Sequence, residues 1–237
     1  MESHLNSKPR MQGVVERFSV ADGTISEEEV DKIVDMSVRA FEYARDKDGD
    51  ISQDALIGHD WSLAPAYYRH IVLAGMFTGG LYGVRDKESQ DIVAVGVWWG
   101  PGDKSDKLEE FKRKIGLYDF LDGLKPQFRE WYSRTIPVLI KEQETFFTDE
   151  ERARRWWCIH LCTEPRYHGR GLARLIIDSI HDKARKTIPG GFVGLGAGVE
   201  VNVKKYQSLG FRERGVVSTP IVASDMEVTI HVLSRED

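Results

Sequence analysis

The stretch from Leu161 to Ala173 constrains the fold more than any other part of the chain. It reads Leu161-Cys162-Thr163-Glu164-Pro165-Arg166-Tyr167-His168-Gly169-Arg170-Gly171-Leu172-Ala173. Residues 155–162 have the composition of a strand. After a basic, Gly-rich turn, apolar residues recur at Leu172, Leu175, Ile176, Ile177 and Ile180, with Arg174, Asp178, His181 and Asp182 on the other side. That period is helical, so a strand runs into a turn that opens a helix. The first N–H groups of a helix lack partners within it, and the dipole places about half a positive charge there. Gly169 and Gly171 let backbone approach a ligand, and Arg166 and Arg170 add charge, so the turn is suited to cradle a pyrophosphate. A tight turn with no ligand uses the same residue types. The dinucleotide pattern Gly-x-Gly-x-x-Gly fails, because Arg174 stands at its third glycine, and no Gly-Lys-Ser/Thr follows as a Walker loop needs.

These residues resemble the acetyl-CoA signature of the GNAT superfamily of N-acetyltransferases, Gln/Arg-x-x-Gly-x-Gly/Ala. Two registers fit. Arg166-x-x-Gly169-x-Gly171 satisfies the pattern literally. His168-x-x-Gly171-x-Ala173 departs at its first position, but it sets Pro165 and the pair Ile176-Ile177 where the family has Pro and two Leu, and it is the register preferred here. A second element, Tyr206-Gln207-Ser208-Leu209-Gly210-Phe211, matches the family's Tyr-x-x-x-Gly-Phe. Alone it reads equally as a structural Tyr beside a helix C-cap Gly. Both elements in order, with a strand between, carry the resemblance over residues 154–215. It implies a mixed α/β fold: a twisted, mostly antiparallel sheet with helices on both faces.

The rest of the chain is read from pattern. Residues 12–21 are expected as a first strand, and Thr24 or Ser26 as the cap of a helix with Glu27, Glu28 and Glu29 in its first turn. Val30, Ile33, Val34, Ser37, Val38 and Phe41 give that helix its apolar stripe. Residues 46–50 read as a polar turn and 63–78 as a second helix, with Pro65 in its first turn. Residues 81–85 and 92–99 read as a hairpin. After Gly100-Pro101-Gly102, residues 103–153 are helical in character and form an insertion of two or three helices. Its aromatic residues are expected to pack it onto the sheet, or else to wall a pocket or a partner surface. Arg152, Arg154 and Arg155 read as a solvated basic lead-in to the next strand. Residues 192–195 are a strand, Gly196–Gly198 loosens the backbone, 200–209 is a short helix, and 211–219 with 225–233 form a closing hairpin. One domain over 1–237 is expected, with its cofactor-binding core at 154–215.

Composition excludes little. The formal charge of −5 leans against nucleic acid and towards a cationic substrate, although it is also ordinary solubility charge. Residues 1–10 are polar and no long uncharged apolar run exists, so no secretory leader and no membrane segment are expected. Cys158 and Cys162, on one strand about 13 Å apart, cannot pair with each other, which suits a reducing, cytoplasmic setting. Cys158-x-His160-x-Cys162 puts three metal-capable groups on one strand face. Neighbours about 6.7 Å apart cannot converge on one ion, so no metal is expected. Asp46-Lys47-Asp48-Gly49-Asp50 lacks the Gly and Glu of a calcium loop, since Ile51 and Ile57 stand there. The oligomeric state is open.

The resemblance implies transfer of the acetyl group of acetyl-CoA, the co-substrate, to a primary amine of a small molecule or peptide by direct attack, with no nucleophilic Ser or Cys. The cofactor-binding residues are then Leu161, Cys162, Thr163, His168, Gly169, Arg170, Gly171, Leu172 and Ala173. Tyr206 would be the catalytic acid. A phenol, with a reference pKa of about 10, stays protonated until the thiolate forms. The base is open among His160, Glu164 and water, because Trp157 and Ile159 hold the family's usual positions. Strand parity turns His160 away unless a bulge intervenes. Two other readings stand beside this one: a non-catalytic acyl-CoA sensor, and transfer of a longer acyl group admitted by Gly194, Gly196 and Gly198.

Overall fold

The structure is a computed structural model, and it describes residues 10–49, 52–102, 108–222 and 224–237. Seven strands form one sheet: β1 (Val15–Arg17), β2 (Leu81–Arg85), β3 (Ile92–Trp99), β4 (Arg155–Thr163), β5 (Phe192–Ala197), β6 (Arg212–Pro220) and β7 (Glu227–Arg235). Their spatial order is β1-β2-β3-β4-β5-β7-β6. Among the described residues, only the β4–β5 pair is parallel. The helices are α1 (Glu27–Asp48), α2 (Ser52–Leu56), α3 (Ala64–Thr78), α4 (Glu109–Lys114), α5 (Leu117–Gly123), α6 (Pro126–Glu144), α7 (Asp149–Arg152), α8 (Leu172–Thr187) and α9 (Glu200–Gln207). Among the described residues, no helix is long and apolar enough to cross a membrane.

The sheet carries helices on both faces. On one, α1 and α3 bury Val30, Ile33, Tyr68 and Val72 against Leu81, Val95, Val97 and Cys162. On the other, α8 buries Leu172, Ile176, Ile177 and Ile180 against Val84, Trp98, Cys158 and Leu195. The α1 start is fixed by a capping box: the Ser26 hydroxyl accepts from the Glu29 N–H while the Glu29 carboxylate accepts from the Ser26 N–H. Its end is fixed by Gly49, at φ 70°.

Several expectations shift. The first strand shortens to Val15–Arg17, because Phe18 is fully buried and residues 19–24 close a turn, with the Ser19 N–H donating to Thr24 Oγ1 at 2.7 Å. The turn expected at 46–50 is helical through Asp48, since Gly49 can take the left-handed conformation that ends a helix; Asp50 and Ile51 lie outside the described residues. The lead residues 1–9 and insertion residues 103–107 also lie outside them. The rest of the insertion forms four helices rather than two or three. Gly116, at φ 76°, separates α4 from α5, Pro126 opens α6, and a Thr148–Glu151 capping box nucleates α7.

The insertion's aromatics pack it onto the rest of the molecule. Phe120 is fully buried, stacked on His70 of α3, and Phe147 stacks on Phe192 of β5. Trp131 Nε1 donates to the Pro220 carbonyl at 2.8 Å. Arg155 is buried rather than solvated: its guanidinium lies between the Phe147 and Trp157 rings and pairs with Glu144 of α6. His181, expected on the polar side of its helix, is only 3 % exposed.

Candidate active site

Parallel pairing between β4 and β5 runs only from Arg155–Phe192 to Cys158–Leu195. Beyond that point β4 stays with β3 and β5 stays with β7, so the two strands part. The parting coincides with a bulge. Val97 pairs with His160 and Trp98 with Cys158, leaving Ile159 as the extra residue of β4. The bulge resets strand parity. Cys158 faces α8, whereas Ile159, His160 and Cys162 face the α1–α3 layer. The three metal-capable side chains therefore do not share a face, contrary to the reading from spacing. Among the described residues, no group of three His, Cys, Asp or Glu side chains could hold a metal ion.

From Thr163 the chain makes a single tight turn over Pro165–Tyr167 and enters α8 through Gly169 (φ 82°) and Gly171 (φ 81°). The Leu175 N–H donates to the Gly171 carbonyl. The N–H groups of Leu172, Ala173 and Arg174 precede that first helical bond and face out of the helix end. A Cβ on Gly169 would meet no heavy atom within 4 Å, and one on Gly171 would meet only Arg10 Cγ, at 3.9 Å. Both side-chain positions are open space, as a cradle for a pyrophosphate requires.

These elements border one groove of about 630 Å³. Of the residues expected to bind cofactor, Leu161, Cys162, Thr163, His168, Gly169, Gly171, Leu172 and Ala173 line it, together with Tyr206. Arg170 does not; its guanidinium lies over the Tyr167 ring, 4.9 Å from the centroid. Arg166, of the literal register, is also outside the lining and lies 3.8 Å from Asp91. His168 Nε2 is 2.9 Å from the Thr163 carbonyl, so this departure from the signature ties the cradle to the end of β4. Tyr206, half-buried on α9, packs edge-on against Phe211.

The groove also takes residues that sequence reading missed. Phe41, Tyr43 and Asp48 come from α1, Lys205 from α9, and Arg10 from the segment ahead of β1. Asp48 and Lys205 pair across it at 3.2 Å. No local pattern marks them, because they reach the cradle only through the packing of distant segments.

The candidate bases are both engaged, and neither lines the groove. His160 is buried beside Phe41 and Tyr68, and burial holds its pKa down to about 4, so the ring is neutral. Its Nε2 lies 3.0 Å from Ser37 Oγ, and the Ser37 hydroxyl is 2.9 Å from the Ile33 carbonyl. Glu164 is held by Arg39 at 2.7 Å. The thiols are not nucleophiles: burial raises both, pushing Cys162 up to about 12. A Cβ on Gly194 would meet the Trp157 ring at 2.9 Å and one on Gly196 would meet Ile230 at 2.8 Å, so neighbouring side chains fill the space beside these two glycines.

No protein-family model matches the chain, and no curated protein sequence matches it. Solved structures do. Arylalkylamine N-acetyltransferase 2 from Aedes aegypti is 14 % identical and superimposes with a TM-score of 0.58, over 95 % of this chain and 99 % of that one. A polyamine N-acetyltransferase from Drosophila melanogaster, described as forming N-acetylagmatine, is 14 % identical with a TM-score of 0.59, over 95 % and 100 %. An agmatine N-acetyltransferase is 13 % identical with a TM-score of 0.57, over 94 % and 98 %. The chain has the GNAT N-acetyltransferase fold.

Proposed function

We propose that the protein is an acetyl-CoA-dependent N-acetyltransferase acting by direct attack on a primary amine of a small molecule or peptide. The observation that carries this is the convergence, in one groove, of the end of β4 beyond its pairing with β5, the open glycines at the start of α8 and Tyr206. When bound there, acetyl-CoA supplies a thioester-activated acetyl group.

The chain's own residues divide the remaining work. The N–H groups of the first turn of α8 hold the pyrophosphate. Backbone of Leu161–Thr163, left without a β5 partner, pairs with the pantetheine amides as an added strand would and polarises the carbonyl. Tyr206 donates its phenolic proton to the departing sulfur. The amine proton passes to water, because His160 and Glu164 lie outside the groove and are already bonded. The solved neighbours that share the fold carry arylalkylamine, polyamine and agmatine in their names, and these are the first acceptors to test. The two free, buried cysteines fit a cytoplasmic setting.

The test is calorimetric binding of acetyl-CoA, followed by thiol release with a panel of those amines. Binding with release on one amine class is the expected result. Binding without release on any amine would favour a non-catalytic acyl-CoA sensor, and no binding would overturn both readings.

A further inference from the structure

We propose that Arg10 contacts the phosphates of the bound coenzyme and positions it beside the start of α8. This rests on the acetyl-CoA reading above, but it concerns a residue far outside the resemblance. Arg10 borders the groove beside Gly169 and Gly171, and its Cγ is the nearest heavy atom to a Cβ built on Gly171. Its backbone is anchored there. The Met11 N–H donates to the Arg170 carbonyl at 3.0 Å, Met11 packs into the α8 layer, and a Cβ on Gly13 would lie 3.5 Å from Leu175. The segment ahead of β1 is thus laid against the first turn of α8, with Arg10 at the mouth of the cradle.

The other described cations near this mouth are committed. Arg170 lies on the Tyr167 ring, Arg166 is near Asp91, Arg174 reaches the Ser208 carbonyl, and Lys205 pairs with Asp48. Among the described residues, no carboxylate lies within ion-pair distance of Arg10. A planar guanidinium beside unpaired backbone N–H groups completes a phosphate site with charge-assisted bonds that backbone alone cannot supply.

The experiment measures Kd by calorimetry for CoA and for dephospho-CoA, on the full chain and on Arg10→Gln. Arg10→Met keeps an aliphatic stem and loses the guanidinium, and it is the second variant if the first does not fold. Both variants should bind CoA about tenfold more weakly, the size of one charge-assisted contact at an open site. An equal loss for CoA and dephospho-CoA supports the proposal with the diphosphate as the contact. A loss confined to CoA supports it with the 3′-phosphate as the contact. Wild-type affinity in the variants overturns the proposal and leaves the acetyl-CoA reading intact. No CoA binding by the unaltered chain overturns that reading itself.

Discussion

Cys158 and Cys162 lie four positions apart on β4 and face opposite sides of the sheet. Cys158 packs under α8, with its thiol 3.3 Å from the His160 carbonyl; Cys162 packs under α1, with its sulfur 3.5 Å from Ser37 Oγ. The extra residue between them, Ile159, accounts for both the change of side and the site where β4 leaves β5. One local irregularity therefore dismantles an apparent metal triad and opens the edge on which the proposed thioester would lie.

Replacing Gly171 by Val should abolish acetyl-CoA binding. The residue sits at φ 81°, where a non-glycine side chain costs roughly 1–2 kcal/mol, and a β-branched group would project into the open cradle. Calorimetry on the folded variant reads this directly, and intact affinity would remove the cradle assignment.

Tyr206→Phe should leave the Kd for acetyl-CoA unchanged and lower kcat on the best amine by about 100-fold, a low value for loss of a general acid. Its ring would still pack on Phe211, so the fold is spared. Unchanged turnover would remove Tyr206 as the acid.

The turn into α8 was legible because it is a local pattern: a change of period from strand to helix around Gly169 and Gly171, with the short helix α9 in a second motif. The hairpin at β2 and β3 was legible for the same reason, its bounds matching the expected 81–85 and 92–99. What stayed hidden depends on distant contacts. The bulge at Ile159 arises from pairing with Val97 and Trp98, and the start of β4 alone cannot reveal it. Gly196 read as loop, yet it is strand, because it pairs with Val232 of β7, and Ile230 occupies the space a Cβ would need. Arg10, Asp48 and Lys205 join the groove only once three separate segments have packed.

Phe120→Ala should cost about 3–5 kcal/mol, the range for an emptied aromatic site in a core. Phe120 is fully buried against His70, Tyr67 and Tyr132, and it joins the insertion to α3. The cradle lies elsewhere, so CoA affinity of the folded fraction should hold. A shift in the urea midpoint worth less than about 1 kcal/mol would mean that the insertion docks through other contacts.

Mild acid should destabilise the protein well before its carboxylates protonate. His70 and His160 are both buried, and burial lowers each from 6.5 to about 4. The unfolded chain binds a proton at each site below pH 6.5, while the folded chain resists until about pH 4. Stability from these two groups is thus complete above pH 6.5 and falls as the pH drops towards 4, by at most on the order of 3 kcal/mol per histidine. Glu29 and Glu151, held low mainly by Arg85 and by the Thr148 N–H respectively, act in a separate window below the ordinary Glu value of 4.5. Urea unfolding at pH 7.5 and at pH 5 should show the loss, and His70→Leu should remove that ring's share of it, while His160 and His181, which are also buried and held low by desolvation, keep theirs. An equal pH dependence in the variant and the unaltered protein would mean that the His70 ring is charged or solvated in the folded state.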